Sequence, residues 1–68
     1  MIPVNSSNIR AVGYDKSSAT LVVAFHSGSV YEYYNVPYST FSGLLGASSH
    51  GGYHRRHIYR CYLYRQIA

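Results

Sequence analysis

The sequence has very little cysteine and no long apolar run, and each absence excludes a class of protein. One cysteine in 68 residues cannot form an internal disulfide, which excludes a disulfide-stabilised secreted scaffold. No apolar stretch approaches the roughly 20 residues of a membrane span. The opening "MIPVNSSNIR" lacks the charged start and apolar core of a signal peptide. We therefore expect a cytoplasmic protein with no membrane partner.

Carboxylates are almost as scarce, because Asp15 and Glu32 are the only two. Hydrolysis by paired carboxylates needs two acids that flank one bond, and a turn residue and a strand residue are not expected to meet. A Cys61 nucleophile with His57 as its base would lack an orienting carboxylate. No glycine motif has the lysine and the strand-to-helix setting that cradle a phosphate. The sequence predicts a protein that is not an enzyme and has no cofactor.

Aromatic residues are abundant, with nine tyrosines and two phenylalanines against no tryptophan. Together with a hydrophobic content of 47%, they exclude an intrinsically disordered chain. A chain of this length forms one domain, residues 1–68, and buries only about 60% of its unfolded surface. Tyrosine hydroxyls need water or a hydrogen-bond partner, so a shallow core built from tyrosines is expected.

Short β-branched and aromatic runs predict a three-stranded antiparallel meander over residues 8–15, 19–26 and 30–36. The turns are "DKSSA" and "HSGS", in which Gly28 can supply a positive φ. Alternation along the strands places one set of apolar residues toward the core, namely Leu21, Val23, Phe25, Tyr31 and Tyr33. The opposite face, with Val22, Ala24 and Tyr34, is only half polar, which indicates partial cover.

One short amphipathic helix is predicted near residues 38–46, where Tyr38, Phe41, Leu44 and Leu45 recur at helical spacing. Gly46 is a plausible stop, and the helix should cover the open sheet face. The following "SSHGG" is predicted as a loop. The basic C-terminal segment should then form a helical turn or an extended stretch. The predicted fold class is a small α+β domain.

Several stretches of the chain resemble the KTSC domain, a family named for its occurrence at the C-terminus of some lysyl-tRNA synthetases. The matching stretches are "SSNIRAVGYD", "LVVAFHSGSVYEYYNVP", "FSGLL", "SSHGGYHRRHI" and "YLYR". The resemblance implies a small α+β fold, a nucleic-acid role that has been proposed, and no catalytic residues. The chain departs from the family at His54 and Arg55, where the family tends to have Phe and Asn. The pattern is kept at Ser49, Gly51, Tyr53, Ile58, Tyr62 and Tyr64.

All of the excess positive charge lies in residues 50–68, whose arginines face no carboxylate, whereas residues 1–49 are electrically balanced. Arginines bind phosphates, and tyrosine rings stack on unpaired bases. The predicted nucleic-acid-binding residues are Arg55, Arg56, Arg60, Arg65, Tyr53 and His54. This pattern favours weak binding of single-stranded or looped RNA by a non-enzymatic accessory domain.

Two other interpretations stay open. The C-terminal tyrosines could instead belong to the core, leaving only the arginines in solvent. The half-apolar face with Val22, Ala24 and Tyr34 is also consistent with a protein-interaction or homo-oligomerising module. The sequence alone specifies neither the ligand nor the oligomeric state.

A metal site is the last pattern to weigh, because His50, His54, His57 and Cys61 follow one another at spacings of 4, 3 and 4. On one continuous helix these groups would share a face. Gly51 and Gly52 interrupt such a helix, and three His with one Cys is an uncommon structural zinc set. We expect no metal, histidines at the surface or in loops, and Cys61 as a small buried apolar residue.

Overall fold

The computed structural model describes all 68 residues, which form one five-stranded antiparallel sheet and two helices. The elements are β1 (Ile2–Pro3), β2 (Ile9–Asp15), β3 (Thr20–Phe25), β4 (Val30–Tyr33), α1 (Tyr38–Gly46), α2 (His50–His57) and β5 (Tyr64–Gln66). The strands lie side by side in the order β1-β2-β3-β4-β5, so β1 and β5 are the two edges. The predicted α+β class is therefore confirmed.

The predicted three-stranded meander corresponds to β2, β3 and β4, and it is incomplete. Two short strands extend it on either side. Ile2 of β1 pairs with Val12 of β2. At the opposite side of the sheet, Tyr64 of β5 pairs with Tyr33 of β4. Strands of two and three residues are too short to show an alternating pattern, and β5 forms through contacts with a strand about 30 residues earlier in the chain. Sequence patterning therefore predicted the centre of the sheet and missed its edges.

The core lies between one face of the sheet and both helices. Phe41 and Leu44 of α1 are buried in it, and so is Ile58, the residue that directly follows α2. The predicted core strand residues are confirmed for Leu21, Val23 and Tyr33, whereas Phe25 and Tyr31 are only partly buried at its margin. The margin where these two rings lie borders the candidate site.

Helix α1 has the predicted bounds, but Tyr38 was wrongly assigned to its buried stripe. The residue is 51% exposed. It packs edge-on against Tyr14, with ring centroids 5.8 Å apart, and the Lys16 ammonium lies 4.8 Å from its centroid. Because Tyr38 is the first residue of the helix, its side chain reaches the β2–β3 turn, not the core.

Helix α2 begins within "SSHGG", which the sequence predicted to be a loop. Ser49 caps the helix, since its Oγ accepts a hydrogen bond from the Gly52 amide at 3.1 Å. Gly51 lies close to the loop before β2, because a Cβ there would lie 3.3 Å from the Asn8 side-chain nitrogen, which would have to shift slightly. Capping and packing thus outweigh the low helix propensity of two consecutive glycines.

The chain leaves α2 through a sharp turn that leads it back to the sheet edge. Ile58 is fully buried at the end of the helix, and Arg60 adopts a left-handed conformation with φ 64°. This turn separates α2 from β5 by only six residues. Neither helix combines the length and the apolar composition that crossing a bilayer requires.

Candidate nucleic-acid interface

Three of the four predicted arginines lie in α2 or in the turn that follows it. Arg55 and Arg56 are exposed on α2, and Arg60 lies in the turn that follows, with its guanidinium 5.4 Å from the Tyr59 ring centroid. Arg65 stands apart from them. It pairs across the sheet with Glu32, which alternates with buried Tyr33, so Arg65 lies on the face opposite the helices.

Tyr53 lies at the contact between the two helices and is partly buried. A Cβ at Gly43 of α1 would overlap its ring, so the absence of a side chain at Gly43 makes room for the tyrosine. On its other side the ring lies 4.5 Å from the His57 ring, centroid to centroid. Tyr53 packs against the core cluster, which is the arrangement expected if its ring mainly serves packing.

His54 lies among aromatic rings between α2 and the sheet. We define the aromatic cleft as the hollow lined by Phe25, Tyr31, Tyr33, His54, Tyr59 and Tyr64. The hydroxyl of Tyr33 and Nε2 of His54 are joined by a hydrogen bond of 2.8 Å. The His54 ring meets the Phe25 ring edge-on at a centroid distance of 5.4 Å. His54 therefore forms part of the floor of the cleft and has little of its surface in solvent.

Two tyrosines project from the cleft. Tyr59 is 48% exposed and approaches from the end of α2, with its ring centroid 6.2 Å from that of His54. Tyr64 is 53% exposed and approaches from β5, where its ring lies 5.8 Å from Tyr31. Both rings are supported on one side by other rings and are open to solvent on part of their surface.

The aromatic cleft has a volume of about 360 Å³ and continues into a second hollow of about 410 Å³, which we call the polar hollow because only three of its ten lining residues are hydrophobic. The polar hollow runs between the β3–β4 turn, the loop before β2 and α2, and its wall includes Asn8, His26, Ser27 and Arg55. The two hollows share Phe25, Ser27, His54 and Tyr59. Volumes of this size are typical of small-molecule sites.

The floor of the aromatic cleft is electrically neutral near pH 7. Burial raises the pKa of the Tyr33 hydroxyl to about 12, with smaller contributions from the neighbouring tyrosines. Burial also lowers the pKa of His54 below its usual value, and the nearby Arg55 charge lowers it further. The hydrogen-bonded pair is therefore an uncharged imidazole and an uncharged phenol.

The depressed pKa of His54 predicts that the domain loses stability in mild acid. The unfolded chain binds the proton more readily, so this contribution is fully present above the unfolded pKa of about 6.5 and is lost as the pH falls toward the folded value. We expect the melting temperature to fall between pH 7.5 and pH 5, measured by circular dichroism. In His54→Gln the fall should be smaller.

Arg55→Gln is the companion variant, because the charge of Arg55 is the second cause of the shift. It should reduce the acid-induced fall by less than His54→Gln does. An unchanged fall in His54→Gln would contradict the assignment.

The histidines and Cys61 are dispersed. Nδ1 of His50 lies 2.8 Å from the Leu44 carbonyl oxygen, His54 bonds Tyr33, and His57 packs against Tyr53. No group of three or more His, Cys, Asp or Glu side chains comes close enough to hold a metal ion. Cys61 is exposed, so the prediction that it is a buried apolar residue was wrong. It follows the left-handed Arg60 in the turn after α2, outside the core.

Sequence reasoning missed the residues that form the rest of the cleft, chiefly Phe25, Tyr59 and Tyr64. Alternation alone predicts that Phe25 and Tyr31 lie in the core. Tyr59 lies within the predicted helical turn of residues 53–60, next to Arg60, whose charge makes it a predicted binding residue. Aromatic rings and arginines interleave over residues 53–65. This pattern indicates a binding surface, but it does not identify which residues form that surface.

Comparison with known proteins gives a consistent family assignment. The model of the KTSC domain family matches residues 5–62. The crystal structure of a KTSC domain protein from Yersinia pestis superposes with a TM-score of 0.94 at 32% identity, covering 97% of this chain and 93% of that one. At this identity and coverage the two chains share a fold and a family.

Relatives include both small proteins and a segment of an enzyme. A protein of Tsukamurella paurometabola is 47% identical over 51 residues, which are 75% of this chain and 76% of that protein. A lysine–tRNA ligase of a Nostoc species is 34% identical over all 68 residues, but this chain spans only 12% of the length of the ligase. An uncharacterised protein of Stutzerimonas stutzeri is 40% identical over 50 residues, covering 74% of this chain and 70% of that protein.

Proposed function

This chain belongs to the KTSC domain family, and we propose that it is an accessory domain that binds single-stranded or looped RNA weakly through the α2 side of the molecule. The observation that carries the proposal is the continuous cleft of exposed rings with arginines at its border. Arg55 lines the polar hollow, and Arg60 lies beside the exposed Tyr59. Arginine and aromatic rings together suit unpaired nucleotides, whose phosphates and bases are both accessible.

Relatives that are lysine–tRNA ligases are in keeping with this proposal, since those enzymes act on an RNA. The matching segment is a small part of the ligase, so its aminoacylation chemistry is not transferred to this chain. The proposal takes from these relatives only the chemical class of the partner, which is RNA.

Salt dependence of binding tests the proposal. Arg55, Arg56 and Arg60 are exposed in α2 or in the turn that follows it, and each phosphate contact with a single strand contributes a log–log slope of about −0.7. We expect a total slope of about −2, measured by fluorescence anisotropy with a labelled 12-nucleotide uridine oligomer. The double variant Arg55→Ala and Arg56→Ala should reduce the magnitude of that slope by about 1.4.

Arg65→Ala is the matched control. It removes one positive charge, half of what the double variant removes, from the opposite face of the sheet, so the slope should stay that of the wild type. A loss equal to that of an α2 arginine would show that RNA follows a different surface. No binding at low salt to folded protein would end the proposal.

A second candidate, association with a protein or a second copy, is favoured by the exposed apolar residues at the β5 edge. Leu63 is 78% exposed and Ile67 45%, and edge strands offer unpaired backbone groups. Arg65 between them opposes pairing with an identical strand, because two arginines would meet. A molecular mass that rises with concentration, found together with the absence of RNA binding, would favour this candidate over the first.

A further inference from the structure

We infer that the aromatic cleft is a subsite for one unpaired nucleobase, with the adjoining sugar and phosphate placed toward Arg55 and the polar hollow. The inference deepens the proposed RNA binding and rests on it. Two half-exposed rings, Tyr59 and Tyr64, line one cavity of about 360 Å³. Each of these rings packs against other rings and is still open to solvent. Such rings suit base stacking, because binding has to restrict little of their remaining motion.

Charge around the cleft argues for an anionic ligand. An aromatic cage of this kind could also take an organic cation by cation–π attraction. No carboxylate lines either hollow, however, whereas Arg55 lines one and Arg60 lies against the Tyr59 ring. A cation would meet these like charges, while a nucleotide brings a flat base for the rings and a phosphate for the guanidinium groups.

Polar groups at the bottom and side of the cleft argue against a purely apolar ligand. The hydroxyl of Tyr33 and the imidazole of His54 form the floor, and Ser27 and Ser29 line the wall at the β3–β4 turn. These groups can both donate and accept hydrogen bonds. The edge of a nucleobase offers the complementary donors and acceptors, which a lipid chain or a hydrocarbon side chain lacks.

The two hollows are continuous, and together they define the path of a bound RNA strand. The aromatic cleft opens into the polar hollow, where Asn8 and Arg55 face the cavity. A base held in the aromatic cleft therefore has its neighbouring nucleotide over a polar, positively charged wall. This arrangement selects an extended strand with one base turned into the cleft, in preference to a duplex, whose bases are stacked and paired.

The test compares two oligomers of equal length and charge, a 12-nucleotide uridine oligomer and an oligomer of abasic ribose phosphates. We expect the wild-type protein to bind the uridine oligomer about tenfold more tightly, or better, because only that oligomer can stack on the cleft. Tyr59→Leu should remove most of this difference, and Tyr59→Phe should retain it. Tyr38→Leu is the matched control, since Tyr38 is a half-exposed tyrosine outside the cleft.

Tyr64→Leu supplies a second variant should Tyr59→Leu fold poorly, which circular dichroism would reveal. Equal affinity of the wild-type protein for both oligomers, with the salt dependence preserved, would overturn the base subsite and leave the proposed RNA binding in place. Loss of base preference in Tyr38→Leu, without loss in Tyr59→Leu and Tyr64→Leu, would also overturn it. Absence of binding to either oligomer would remove both proposals.

Discussion

Leu44→Ala is expected to lower the free energy of unfolding by about 2–5 kcal/mol. Leu44 is fully buried where α1 meets the sheet, in the core cluster that contains Leu21, Val23 and Phe41. Removing its branched end leaves a cavity that the surrounding strands cannot close. A domain of this length has a total stability of roughly 3–10 kcal/mol, so the variant should lose a large share of its stability and melt at a markedly lower temperature.

Leu63→Ala provides a control of the same residue type, because Leu63 is 78% exposed in the segment before β5. Its cost should stay within about 0.5 kcal/mol. Urea denaturation followed by circular dichroism measures both values. If the two variants have equal midpoints, α1 does not cover the sheet as described.

Local patterns were sufficient for the elements that carry the strongest periodicity. Helical spacing of Phe41 and Leu44 predicted α1 with its bounds. Strand alternation predicted that Leu21 and Val23 of β3 are buried, but it misjudged Phe25, which is only partly buried, and Ala24, which is fully buried on the opposite face. The same reasoning failed for α2, where Gly51 and Gly52 indicated a loop. A Cβ at Gly51 would press on the Asn8 side chain, and a Cβ at Gly52 would press on the Ser49 hydroxyl that caps the helix. Only the fold reveals these two contacts.

The candidate site was predictable in composition but not in geometry. Arginine content identified Arg55, Arg56 and Arg60, and it could not separate them from Arg65. That separation follows from the register of β5, in which Arg65 opposes Glu32, a residue on the face away from the helices. A register set by a three-residue strand leaves no signal in the local sequence.

The cleft depends on a contact between residues that lie far apart in the chain. The hydroxyl of Tyr33 meets His54 across 21 positions, so neither residue alone indicates the pair. His54 was selected because it is near arginines, yet burial and the Tyr33 contact define its environment. Helix α2 therefore contributes Arg55 to the border of the hollow and His54 to its floor.

Ile58 both stabilises the domain and maintains the shape of this hollow, because it anchors the end of α2 next to Tyr59 and Arg60. Its side chain is fully buried in the core cluster, and the amide after it, that of Tyr59, bonds the His54 carbonyl oxygen at 2.7 Å. Any loosening at Ile58 should therefore move the exposed ring and the arginine beside it.

Ile58→Ala should lower the free energy of unfolding by about 2–5 kcal/mol and Ile58→Val by about 0.5–1.5 kcal/mol, since the cost follows the volume removed. Ile67→Ala is the matched control, because Ile67 is 45% exposed beyond β5 and should cost markedly less. Urea unfolding measures all three. If Ile58→Ala and Ile67→Ala prove equally stable, the turn after α2 is not anchored in the core, and the position of Tyr59 at the cleft loses its structural basis.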